Sequence, residues 1–135
     1  MKRIKHFLVL ALIAGGATPA VALPPLYENR TVVSGFYAIG MADLIRRNCD
    51  AISPRYLRAY NYLKALEKYA QDAGYSDAQI EELTDNREEK EKLRARIEAE
   101  LADRGASPKT PEGYCTVGRE EIAKNSAAGR LLRAR

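Results

Sequence analysis

The chain has 135 residues, a formal net charge of +4, two cysteines (Cys49 and Cys115) and a single histidine, His6. A length of this order fits one small domain, whose core often gains from a covalent staple. Three of the positive charges, Lys2, Arg3 and Lys5, sit at the N-terminus with no acid among them, leaving about +1 on the rest; nucleic-acid or anionic-membrane binding needs clustered positive charge and loses its support.

Those three cations precede an apolar run from Phe7 to Ala14, and Ala20-Val21-Ala22 supplies small residues for cleavage. Residues 1–22 therefore read as a secretory signal peptide and residues 23–135 as the helical domain of a periplasmic protein. The apolar run is too short for a stable membrane span and no later segment is apolar for long enough, so none is expected after cleavage. No cysteine follows the cleavage site to indicate lipid attachment. In an oxidising compartment Cys49 and Cys115 have one intramolecular connectivity. It would close a loop of 66 residues, worth roughly 4 kcal/mol in the chain-entropy model. A metal site and a catalytic thiol compete with the disulfide, but His6 lies in the signal and the exported chain has no histidine.

Leu23-Pro24-Pro25-Leu26 is an extended lead-in, because proline donates no backbone hydrogen bond and restricts the residue before it. From about Asn29 to Asn48, Val33, Tyr37, Met41, Leu44 and Ile45 recur at helical spacing and Cys49 continues the stripe. Asp43, Arg46 and Arg47 form an ion-pair face. Val32, Phe36 and Ile39 add a second apolar stripe to this first helix. A helix apolar on both sides is buried on both sides or meets a partner; Leu26 and Tyr27, or the final helix, are the internal candidates to cover it.

Ser53-Pro54 offers an N-cap and a proline at the first helical position, and Gly74 a left-handed stop. Between them Tyr56, Ala59, Tyr60, Tyr62, Leu63, Leu66, Tyr69, Ala70 and Ala73 fill an arc of about 180°, so this second helix is the expected centre of the domain. Its tyrosines read as core residues with hydroxyl tips reaching water rather than as a ligand box.

Ser76 and Gln79 form a capping box, with Tyr75 and Ile80 as its hydrophobic staple, and start a short third helix to about Leu83. A fourth helix starts at Thr84 or Asp85 and ends at Gly105. Its charges lie at ion-pair spacing and leave Leu93, Ile97 and Leu101 as a narrow seam, so it docks lightly or borrows a partner. Thr110-Pro111 repeats the cap-plus-proline start. The last helix carries Cys115, Gly118, Ile122, Ser126 and Gly129 on one face, small enough for another helix to approach closely, and the disulfide would tie first helix to last. Arg130 to Arg135 reads as a frayed, solvated terminus.

Without a histidine the exported chain holds no Ser-His-Asp or Cys-His arrangement and no histidine-based zinc site. It shows no glycine-rich phosphate loop, EF-hand spacing or haem-attachment motif. The carboxylates cluster at salt-bridge spacing, and there is no tryptophan to make a sugar platform. No catalytic residue, metal ligand or cofactor is assigned.

Four segments carry a resemblance: Ala38-Ile39-Gly40-Met41-Ala42-Asp43-Leu44-Ile45-Arg46-Arg47-Asn48-Cys49, Gly74-Tyr75-Ser76-Asp77, Leu101-Ala102-Asp103-Arg104-Gly105, and Tyr114-Cys115-Thr116-Val117-Gly118-Arg119-Glu120-Glu121-Ile122. With the signal, they resemble an uncharacterised domain-of-unknown-function family of small exported alphaproteobacterial proteins. The resemblance implies a periplasmic setting and a paired Cys49 and Cys115, and no activity. In architecture only, the chain is also similar to small acid-stress periplasmic chaperones. The expectation is an all-α, single-domain bundle of about five helices stapled by one disulfide, not an enzyme, binding another periplasmic protein through Val32, Phe36, Ile39, Leu93, Ile97 and Leu101. An acid-gated holdase, an inhibitor or immunity-type protein and, less favoured, a small-ligand carrier are the alternatives.

Overall fold

The computed structural model describes Gly16 and residues 21–135. Residues 1–22, read from the sequence as a signal peptide, lie outside the described residues except for Gly16, Val21 and Ala22. Five helices follow in order: α1 (Arg30–Asn48), α2 (Tyr56–Asp72), α3 (Asp77–Asp85), α4 (Arg87–Asp103) and α5 (Glu112–Ala123). Two three-residue strands, β1 (Ile52–Pro54) and β2 (Leu132–Ala134), and 3-10 turns at Leu26–Glu28 and Gly129–Leu131 complete the domain.

Local side-chain chemistry starts three of the five helices. Asn29 accepts a hydrogen bond from the Val32 amide at 3.2 Å, which starts α1. The capping box opening α3 is complete: the Gln79 amide donates to Ser76 Oγ at 3.2 Å and the Ser76 amide to Gln79 Oε1 at 2.9 Å. The cap of α4 is Asn86 rather than the expected Thr84 or Asp85: it accepts from the Glu89 amide at 3.1 Å. Gly74 and Gly105, with φ of 96° and 82°, stop the chain after α2 and α4 as their positions predict.

The centre of the domain is α1, not α2. α1 packs against α2, α4, α5, β1 and the first 3-10 turn, so its apolar residues are distributed around the axis. Its C-terminal half, with Ala38, Met41, Ala42 and Ile45, meets Ile97 and Leu101 of α4, Tyr114 and Val117 of α5, and Ile52, Leu131 and Leu132 in the main core. α5 comes close because Gly118 has no side chain: a Cβ there would sit 2.2 Å from Ile52 Cδ1 and 2.7 Å from Ile45 Cγ2. Cys49, at the end of α1, is bonded to Cys115 in the first turn of α5, with Cα atoms 5.2 Å apart, so first and last helices are stapled.

Three expectations fail at the termini of elements. Thr110 does not cap α5, whose N-cap position is Pro111 with no side-chain hydrogen bond; the Thr110 hydroxyl instead bonds Ser107 Oγ at 3.0 Å. Ser53-Pro54 does not cap α2; it forms β1, paired antiparallel with β2 in the register Ile52 to Ala134, Ser53 to Arg133 and Pro54 to Leu132. The C-terminal segment is docked rather than frayed. Leu131 and Leu132 are buried, the Arg55 amide donates to the Leu131 carbonyl at 2.8 Å and the Arg135 amide to the Ala51 carbonyl at 2.9 Å. Arg135 Nε adds a 2.8 Å bond to Ser53 Oγ. A backbone ladder and two buried leucines outweigh the entropy of a free end.

Candidate functional site

Of the six residues expected to form one partner surface, Val32, Phe36 and Leu93 line one cleft, while Ile39, Ile97 and Leu101 belong with the main core. Val32 is buried with Leu26, Ala70 and Tyr75 in a second, smaller core under the N-terminal half of α1. Leu26 therefore covers the second stripe of α1, joined by α2 and Tyr75. Ile97 and Leu101 are fully buried in the main core, and Ile39 and Leu93 pack half-buried against it. Phe36 packs half-buried against the small core. Burial withdraws Ile97 and Leu101 from any surface role, and leaves Val32 only at the floor of the cleft.

What stays open is a cleft of about 470 Å³ where α1, α2, α3 and α4 converge. Val33 and Phe36 of α1, Leu63 of α2, Leu83 of α3 and Leu93 of α4 form its apolar walls. A narrower cavity of about 120 Å³ shares Phe36, Leu63 and Leu83 and continues toward Leu26, Leu66 and Ile80. The cleft's charged lining comes from α4. Lys92 bridges Glu88 and Glu89, each at 2.8 Å, and hydrogen bonds to both carboxylates raise its pKa. Lys90 and Arg96 also line the cleft, and among the described residues neither has a carboxylate within ion-pair distance. Arg96 instead lies over the Tyr37 ring, 5.7 Å from its centroid. Burial, followed by a hydrogen bond to the Glu100 carboxylate, pushes the Tyr37 hydroxyl up to about 12.

A second feature lies on α2. Tyr56, Leu57 and Tyr60 are 71, 73 and 58% exposed, and Leu63 is also exposed. Tyr56, Tyr60 and Leu63, at i, i+4 and i+7, share one face of the helix, and Leu57 adjoins it through Tyr60 three residues on. Lys64 and Glu67, paired at 2.5 Å, succeed them on it. Only Leu66 and Ala70 of α2 are buried, so the broad arc is half core and half surface. Sequence reasoning placed these tyrosines inside. The missed clue is Leu57, which lies outside the arc, so no single buried face accommodates all the apolar residues.

A polar cluster joins α4 to α5. Arg104 reaches Glu121 at 2.8 Å, Glu120 at 2.9 Å and Glu100 at 3.5 Å. Glu121 is buried and also accepts from Ser126 Oγ. Burial opposes its charge, but the bonds from Ser126 and Arg104 outweigh that and hold its carboxyl below the ordinary glutamate range. Among the described residues no group of three or more histidine, cysteine, aspartate or glutamate side chains is placed to hold a metal ion, and no helix is long and apolar enough to cross a membrane.

A family model described as a family of unknown function (DUF5333) matches residues 24–133. No curated protein and no solved structure is significantly similar to the chain.

Proposed function

The chain belongs to this family of unknown function, DUF5333, so its role is read from its own surfaces, and we propose that it is an exported, non-catalytic module that binds another protein in the periplasm. The observation that carries the reading is the exposed face of α2. Tyrosines with a flat apolar body and a polar tip are favoured where one protein covers another, since they bury much area at small cost in rotamer entropy. Four large apolar side chains on and beside one helix face are costly to leave in water and are rarely grouped without use. The Cys49–Cys115 disulfide is consistent with an oxidising compartment. An inhibitor or immunity-type protein with one tight partner is a special case of the same reading.

The test places a photo-crosslinking residue at Tyr60 of the protein produced in its native periplasm, with Arg119 of α5 as the control position. One discrete adduct at Tyr60, lost when Leu57→Asp is added, is the expected result. No adduct, or the same adducts at both positions, rejects the α2 face as the binding surface.

An acid-gated holdase is the second reading, and the Arg104 cluster supports it. Two carboxylates of α5, Glu120 and Glu121, hold the C-terminal end of α4 through Arg104, so acid would loosen the helix that carries Ile97 and Leu101. Protection of an aggregating client below about pH 4, with none at pH 7, is the outcome this reading requires.

A further inference from the structure

The cleft between α1 and α4 lies apart from the outer α2 face, touching it only at Leu63, and it has the composition of a ligand site rather than of a gap in the core. We infer that it binds a small single-chain anionic amphiphile, an acyl chain ending in a carboxylate or a similar head, as an activity additional to protein binding. The volume of about 470 Å³ lies in the range of sites for small ligands. Its walls are Val33, Phe36, Leu63, Leu83 and Leu93, an apolar set that offers a chain burial without hydrogen-bond partners. The 120 Å³ inner cavity extends the same walls inward toward Leu26 and Ile80, a narrow continuation that suits a chain and excludes a helix.

Charge selects the head. The cleft lining contains three cations, Lys90, Lys92 and Arg96, against one acid, Glu89. Lys92 is shared between Glu88 and Glu89, a trio that keeps one negative charge, whereas Lys90 and Arg96 have no carboxylate partner among the described residues, so these five groups together are net positive by one. A negative head at the mouth would pair with these two while its chain lies on Phe36 and Leu93. A cationic head would meet the same charges as repulsion, and a purely apolar molecule would leave them unanswered.

Titration calorimetry on the exported chain with dodecanoate, held below its micellar concentration, tests the inference. Saturable one-to-one binding is expected, and from octanoate through decanoate to dodecanoate the Kd should tighten about fourfold per added methylene. Dodecyltrimethylammonium, of equal chain length, should bind more weakly by roughly an order of magnitude. Lys90→Glu with Arg96→Glu alters two exposed side chains and should reverse that preference, while Leu63→Trp, which fills the mouth, should weaken both ligands. Equal affinity for the two heads, no dependence on chain length, or association only with anionic phospholipid vesicles would each overturn the inference; the last would assign the cations to a membrane surface.

Discussion

The two halves of α1 face different surroundings. Around its C-terminal half the packing is dense: Ile45, Ile97, Leu101, Val117 and Leu132, all under 2% exposed or nearly so, share one core with the disulfide. Around its N-terminal half the buried set shrinks to Leu26, Val32, Leu66, Ala70 and Tyr75, with Phe36, Ile80 and Leu83 only partly covered, and both apolar cavities open there. The same helix thus carries apolar residues on more than one side for two reasons. One end uses that surface for stability, and the other leaves part of it facing a cleft. Local stability follows local burial, so the cleft end is where the domain can open without unfolding.

The largest expected effect is at the dense end. Replacing both cysteines, Cys49→Ser with Cys115→Ser, releases a 66-residue loop and should lower the unfolding free energy by roughly 4 kcal/mol. Urea denaturation of oxidised wild type and double variant measures it, and a loss below about 1 kcal/mol would mean that the staple contributes little to the difference between the ends.

A paired truncation sharpens the contrast. Leu101→Ala removes a fully buried side chain from close packing and should cost about 3 kcal/mol. Leu83→Ala removes a half-buried side chain that already borders empty space, so less contact is lost and the cost should be about 1 kcal/mol. Equal losses would erase the distinction drawn between the two halves.

Much of this fold is local and therefore legible. The Ser76 to Gln79 box, the glycine stops and the helical spacing of Val33, Tyr37 and Met41 each depend on residues within a few positions of one another. The errors share a non-local cause. Ser53-Pro54 satisfies the pattern of a helix start, but its hydrogen-bonding partner is Leu132 to Ala134, far along the chain and carrying no strand-like alternation. Once that pairing exists, the arginine-rich terminus is fixed by its backbone and by Leu131 and Leu132. The choice of central helix failed because tyrosine counts as apolar in a periodicity yet tolerates water. Gly35 of α1 held the correcting signal: a Cβ there would lie 2.4 Å from Leu66 Cδ1, so α2 sits against α1 along a narrow strip and leaves its outer face uncovered. The cleft was not legible because its walls come from four helices, and no one segment contains more than two of them.

The smallest effect concerns the acid response of the dense end. Glu121 is tied to Arg104 and Ser126, and its folded carboxyl titrates below the ordinary value of 4.5. A depressed folded pKa means that the stabilisation is complete above the unfolded pKa and is lost as pH falls through the lower folded one. Unfolding free energy should therefore decline below about pH 4.5, with the Glu121 share on the order of 1 kcal/mol or less, since Arg104 keeps access to solvent. Glu121→Gln should make that acid slope shallower. The local consequence distinguishes this from general acid loosening. Ser126 Oγ donates to Glu121 and accepts from the Gly129 amide at 2.9 Å, so protonation weakens one of the bonds that hold the turn delivering Leu131 and Leu132 to the core. Amide exchange measured at pH 4 and pH 7 should rise first between Ser126 and Leu132 while the amides of α2 stay protected. Earlier opening of α2 and α3 would place the acid-sensitive element at the cleft end, and the assignment of the Arg104 cluster as the hinge between stability and exposure would then fail.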